Sequence, residues 1–188
     1  MEPEDFRVIA GKLRPLTEYF YLHLLGEPLL HPKLPEILDV CAALGCKVTI
    51  VTNGTLTDSA SDLLLSCPCL YKMSFSLHSF EANKITVPLE SYLESVCSFA
   101  DKSSKNGVIN VLKLWNGGGE NSLNERILSY VGRYFLCEAK GKLRENVYLD
   151  FADRFVWPDK DGKLQNPRFC MGLRDQIGVL CDGTAVPC

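Results

Sequence analysis

At 188 residues the chain has the length of one domain and hardly two. A hydrophobic share of 46% against 23% charged excludes a disordered tail, because enough apolar surface is available to offset the entropy of ordering. Twenty basic against 23 acidic side chains, a net charge of −3, exclude a broad cationic face for nucleic acid, and no apolar run is long enough to span a bilayer.

The elements follow in chain order. Phe6, Ile9, Ala10 and Leu13 recur at helical spacing behind Pro3, and Pro15 closes that helix. Thr17 to Leu24 is a short aromatic and aliphatic run that reads as a buried strand. Leu34, Ile37, Leu38, Cys41 and Leu44 form the next helical stripe, opened near Pro35 and closed by Gly45. Lys47 to Thr52 is β-branched and ends in the turn pair Asn53-Gly54. A helix over Asp58–Ser66, broken by Pro68, leads to a strand over Leu70–Leu77. Another helix, through Leu89, Leu93, Val96, Cys97 and Ala100, ends at Gly107 before a strand over Val108–Trp115. Ser122–Glu138 reads as a helix and Val147–Phe151 as the last strand of the series.

Strands apolar on both faces and separated by helices imply an α/β fold with a parallel sheet covered by helices. The series opens on a helix, so the expectation is that a first strand is missing from its N-terminal side. The acidic Met1-Glu2-Pro3-Glu4-Asp5 start does not read as a signal peptide, so the expectation is a cytoplasmic, reducing compartment for the chain and its nine cysteines. Cys41, Cys46, Cys67, Cys69, Cys97 and Cys137 read as small apolar filler, and no metal is assigned to them.

In parallel α/β folds the working groups gather at the carboxyl ends of the strands. Those loops are Leu25-Gly26-Glu27-Pro28, Thr52-Asn53-Gly54-Thr55, Ser76-Leu77-His78-Ser79 and Lys113-Leu114-Trp115-Asn116. Gly26 allows close backbone approach and Pro28 fixes the exit, so backbone carbonyls there can receive an ammonium group; a plain turn is the competing reading. Ser76 and His78 share a strand face, and a strand-end histidine is more often structural than a ligand. Gly117-Gly118-Gly119 lacks the Lys-Ser/Thr of a phosphate loop and reads as a flexible connection. In the tail, Val179 to Pro187 reads as strand, Asp182-Gly183 turn and strand, with Cys181 either an extra ligand or, as its neighbours suggest, a strand side chain. That hairpin lies between Cys170 and Cys188, whose thiolates can meet at a soft metal or iron–sulfur centre completed by ligands beyond Cys188.

Leu25-Gly26-Glu27-Pro28, Val51-Thr52-Asn53-Gly54-Thr55 and Phe75-Ser76-Leu77-His78, in that order at strand ends, resemble the barrel of a radical S-adenosylmethionine (radical SAM) enzyme. Cys170, twelve residues, Gly183, four residues and Cys188 are similar to the opening of a SPASM or twitch domain. The resemblance implies a partial (β/α)6 TIM-like barrel over 1–155, truncated at its N-terminus, and the beginning of an iron–sulfur tail domain over 156–188. It implies S-adenosylmethionine held by Gly26, Glu27, Pro28, Asn53 and Ser76, and an auxiliary iron–sulfur cluster on Cys170 and Cys188. It also implies a catalytic [4Fe–4S] cluster, yet no three cysteines here have the C-x3-C-x2-C spacing of its ligands. The implied reaction is reductive cleavage of S-adenosylmethionine to a 5′-deoxyadenosyl radical that takes hydrogen from a substrate, a peptide or protein being the leaning. As it stands the polypeptide is expected not to cleave S-adenosylmethionine. A flavodoxin or ferredoxin is the implied electron donor, and neither nucleic acid nor membrane is an expected partner. Asp150, Asp153, Arg154 and Trp157 either face that substrate or belong to a linker. The competing readings are a non-catalytic iron–sulfur or metal-binding module on an α/β scaffold, and an α/β-barrel enzyme of phosphorylated metabolites, which the missing phosphate loop disfavours.

Overall fold

The structure is a computed structural model that describes residues 1–83, 86–119, 121–154 and 172–187. Its frame is a six-stranded sheet in the order β1-β2-β3-β4-β6-β5. The strands are β1 (Tyr19–Leu22), β2 (Lys47–Thr52), β3 (Leu70–Ser76), β4 (Ile109–Gly117), β5 (Gly141–Arg144) and β6 (Val147–Asp153). The helices are α1 (Pro3–Leu13), α2 (Leu34–Ala43), α3 (Thr57–Ser66), the single turn α4 (Ser79–Ala82), α5 (Leu89–Lys105) and α6 (Asn124–Phe135). Every pairing is parallel except β5 with β6, which is antiparallel at the sheet's edge.

The order explains where the open face lies. Parallel strands laid down consecutively by crossovers of one hand carry all their helices on one face. Burial along β4 alternates accordingly: Asn110, Leu112, Leu114 and Asn116 are buried, while Ile109, Val111, Lys113 and Trp115 are only half-buried. Val48, Ile50, Met73, Phe75, Leu112 and Leu114 pack with Leu38, Cys41, Leu93, Val96, Cys97, Ile127 and Val131 of the helices in one core. The opposite face, with Tyr21, Val51, Lys72, Ser76, Lys113 and Tyr148, carries no described helix. A mostly parallel α/β sheet with one helix layer is therefore the architecture.

Most predicted elements form within two or three residues of their expected ends. Four features differ. The strand expected to be buried over Thr17–Leu24 forms as the edge strand β1, with Tyr19 and Tyr21 exposed. The edge strand β5 has no counterpart in the apolar pattern, because only Leu143 of its four residues is buried. Gly117 is no loose connection: it ends β4 opposite Asp153, and a Cβ there would come within 2.7 Å of Asp153 Oδ1. Cys181 is exposed in a turn rather than on a strand, since the pairing stops at Val179.

The tail hairpin itself forms. After a short helical turn, α7 (Gly172–Asp175), β7 (Ile177–Val179) pairs antiparallel with β8 (Ala185–Pro187). Asp182 Oδ1 accepts the Thr184 N–H at 2.9 Å, and Gly183 supplies the positive φ of +87° that the turn requires. Among the described residues no helix is long and apolar enough to cross a membrane.

Candidate functional site

The loop after β1 turns sharply. Leu24 and Gly26 both have positive φ, +79° and +82°, and for Leu24 that conformation costs about 1–2 kcal/mol. Gly26 is exposed, with nothing within 4 Å of where a Cβ would stand, so a ligand can reach the backbone there. Pro28 opens a one-turn 3-10 helix, Pro28–Leu30, and the Glu27 carboxylate caps it by accepting the Leu29 N–H at 3.1 Å. The other oxygen, Oε2, accepts the Asn53 N–H at 2.7 Å. One carboxylate thus ties the ends of β1 and β2 together.

The β2 loop is held from four sides. Thr52 Oγ1 accepts the Gly54 N–H at 3.0 Å, and Thr57 Oγ1 donates to the Gly54 carbonyl at 2.8 Å. Asn53 Oδ1 accepts both the backbone N–H (2.9 Å) and the hydroxyl (2.7 Å) of Thr55. Tyr92 Oη, from α5, donates to the Asn53 carbonyl at 2.8 Å. Burial holds the Tyr92 phenol well above its usual range, with the nearby Cys97 and Glu27 adding to the shift, so it stays a donor. The Tyr92 ring also lies 4.8 Å from that of Phe80 on α4, which links the loops after β2 and β3.

Ser76 ends β3. Since Thr52 pairs with Phe75, Asn53 and Ser76 take neighbouring positions along the rim, and Ser76 in turn pairs with Lys113 of β4. The Ser76 carbonyl accepts the Ser79 hydroxyl at 2.6 Å and starts α4. Gly26, Glu27, Pro28, Asn53 and Ser76 are therefore brought to one rim of the sheet. Cys170 and Cys188 lie outside the described residues. Among the described residues, no group of three His, Cys, Asp or Glu side chains is placed to hold a metal ion.

His78 is structural. Its Nδ1 lies 3.2 Å from both the Trp115 nitrogen and the Lys113 carbonyl oxygen and bonds one of them at a time; the neutral ring, accepting from Trp115, ties the loop after β3 to β4. Acceptance from Trp115 requires an unprotonated Nδ1, and burial lowers the pKa, partly opposed by the Lys113 carbonyl and assisted by the Lys113 ammonium. The unfolded chain consequently takes a proton before the folded one does. The stabilisation is complete above the ordinary histidine pKa of about 6.5 and falls as pH drops through and below it. Urea midpoints measured from pH 8 to pH 5 should decline on the acid side, and His78→Gln should flatten that decline; an unchanged slope in the variant would remove His78 as its source.

Sequence reasoning does not single out Tyr92 or the open-face cleft beside the rim. The cleft, of about 550 Å³, is lined by Lys72, Lys113, Trp115, Tyr148 and Asp150 among others. Trp115 Nε1 donates to Asp150 Oδ2 at 3.0 Å, and the Lys113 ammonium lies 4.1 Å from the Trp115 ring centre. Burial, and then the like charge of Lys72, lowers the Lys113 pKa. Asp150 belongs to β6 and lines this cleft.

No protein-family profile matches the sequence, and no curated protein matches it. Solved structures do match in fold. Streptococcus suis SuiB aligns over 100% of this chain with a TM-score of 0.61 at 14% identity, and SuiB bound to S-adenosylmethionine gives 0.60 at 13%. SuiB bound to its precursor peptide SuiA aligns over 71% of the chain, with a TM-score of 0.51 at 16% identity. The chain spans 54% of the length of the SuiB it matches over its whole extent, and 30% of the peptide-bound one in its aligned part. The two proteins share a fold.

Proposed function

We propose that this chain is part of a radical SAM enzyme, comprising a partial (β/α)6 barrel and the beginning of a SPASM- or twitch-type tail. The observation that carries the reading is the Glu27–Asn53 bond: it joins two rim segments of the expected S-adenosylmethionine site in a fold shared throughout the chain with SuiB bound to S-adenosylmethionine. Gly26, Glu27 and Pro28 would receive the methionyl amine, with Asn53 and Ser76 beside them along the rim. The donor set suits that ligand, since a cationic amine meets backbone carbonyls at an open glycine and an uncharged polar rim meets the ribose. With a reduced [4Fe–4S] cluster, bound S-adenosylmethionine supplies a 5′-deoxyadenosyl radical for hydrogen abstraction.

The residues of this chain do not hold that catalytic cluster, because none of its nine cysteines has the C-x3-C-x2-C spacing. Their part would be to bind the ligand and orient it. Cys170 and Cys188 would ligate an auxiliary cluster. A peptide or protein substrate is supported by the fold shared with SuiB, which has been crystallised bound to a precursor peptide. A small flavodoxin- or ferredoxin-like protein would supply the electron.

Titration of the ¹⁵N-labelled chain with S-adenosylmethionine tests the reading without need of activity. The expected result is saturable shift changes centred on the amides of Gly26, Glu27, Asn53, Gly54 and Ser76. Absence of any change at millimolar ligand, or changes scattered away from this rim, would overturn the ligand assignment and leave the metal-binding module as the better reading.

A further inference from the structure

Cys67 and Cys69 lie at the opposite end of β3 from the rim. Cys67 caps α3 in an extended conformation (φ −76°, ψ 112°), as a residue before proline must. The Leu70 N–H then bonds back to the Cys67 carbonyl at 3.3 Å, closing a four-residue turn with Pro68 at its second position. The turn sets the first and third side chains together: the two sulfurs are 3.3 Å apart. A disulfide needs about 2.0 Å, so the two sulfurs, now 3.3 Å apart, must draw together by about 1.3 Å to form one.

The two thiols are not equivalent. Cys67 is half-buried, whereas Cys69 is 7% exposed and directs its sulfur towards the Leu38 carbonyl at 3.5 Å. Hydrogen bonding from the Cys69 thiol, then from the Cys69 and Leu70 amides, outweighs burial and lowers the Cys67 pKa. Cys69 moves the other way, held up by its bond to Cys67 and by burial. The remaining buried thiols differ: Cys41 and Cys97, both fully enclosed, are pushed up to about 12 by desolvation. An accessible thiolate backed by a buried thiol is the division of labour that thiol–disulfide exchange uses.

We infer that Cys67-Pro68-Cys69 is a redox-active dithiol that exchanges with small disulfides, with Cys67 as nucleophile and Cys69 as resolving thiol. In the first step the Cys67 thiolate attacks a disulfide RSSR; its S–S bond breaks, RS⁻ leaves and a mixed disulfide forms on Cys67. In the second, Cys69 gives up its proton, attacks Cys67 Sγ and expels the second RS⁻. The protein pair is oxidised by two electrons, and RSSR, protonated on release, is reduced to two RSH. Nothing in this activity depends on the rim or on S-adenosylmethionine.

The test uses the whole chain equilibrated with mixtures of reduced and oxidised glutathione, acid-quenched, alkylated and mapped by mass spectrometry. The expected product is a peptide containing Cys67 and Cys69, lighter by two hydrogens and closed to alkylation, in a fraction set by the glutathione ratio. Before oxidation, Cys67 should alkylate at pH 7 at least about tenfold faster than Cys69. Cys69→Ser should arrest the reaction with glutathione on Cys67, and Cys67→Ser should leave Cys69 unmodified. The wild-type map stands even if either variant fails to fold. Both thiols still open after equilibration with oxidised glutathione, or glutathione confined to the exposed Cys181, would overturn the inference.

Discussion

Replacing Gly54 by alanine is expected to lower stability by about 2–4 kcal/mol, of which about 1 is conformational and the rest overpacking. Gly54 is buried at φ +80°, and an added Cβ would stand 3.0 Å from Tyr92 Oη, 3.1 Å from Val96 Cγ2 and 3.2 Å from Tyr92 Cε2. Neither partner can withdraw freely. Tyr92 is buried and held to the Asn53 carbonyl, while Val96 is fully enclosed in the core. Gly107→Ala separates the two contributions, because Gly107 has φ +83° with nothing within 4 Å, and it should cost only about 1 kcal/mol. Urea denaturation of both variants reads the difference directly. Equal losses would mean that the α5 packing against the β2 loop is loose, and with it the rim.

The contrast between those two glycines also marks what a sequence can carry. The positive φ at both is legible from the chain: Gly107 follows a helix and Gly54 follows asparagine after a β-branched run. The strand Lys47–Thr52 forms at its predicted bounds because apolar pattern, propensity and turn chemistry agree there. The crowding at Gly54 is not legible, since Tyr92 lies 39 residues beyond Asn53 on a helix stripe that reads as ordinary core. Its hydroxyl bond has no local signature. β5 escaped for a related reason: Gly141–Arg144 becomes a strand through its pairing with β6, with little apolar pattern of its own. Cys67 and Cys69 read as small apolar filler; Cys69 is buried, whereas Cys67 is only half so. It is the turn at Pro68, a matter of backbone geometry, that turns two filler residues into neighbours.

Glu27→Ala is expected to destabilise the fold by about 2–3 kcal/mol, less than two full charge-assisted bonds because water reaches this half-buried carboxylate and replaces part of what is lost. The bonds at stake are those to Leu29 N–H at 3.1 Å and Asn53 N–H at 2.7 Å. Glu27→Gln retains one acceptor oxygen and should lose roughly half as much, since its amide nitrogen cannot accept. Hydrogen exchange localises the effect: the Asn53 amide should lose protection in Glu27→Ala, whereas the Gly54 amide, bonded to Thr52 Oγ1, should keep most of its own. Unchanged exchange at Asn53 would show that the carboxylate does not make the link between β1 and β2. The same variant separates scaffold from ligand site when titrated with S-adenosylmethionine below its unfolding midpoint. If Asn53 is deprotected and the rim no longer responds to the ligand, Glu27 organises the binding loop. If Asn53 is deprotected and the response survives unaltered, the carboxylate serves the fold alone, and recognition rests on the Gly26 backbone and Ser76.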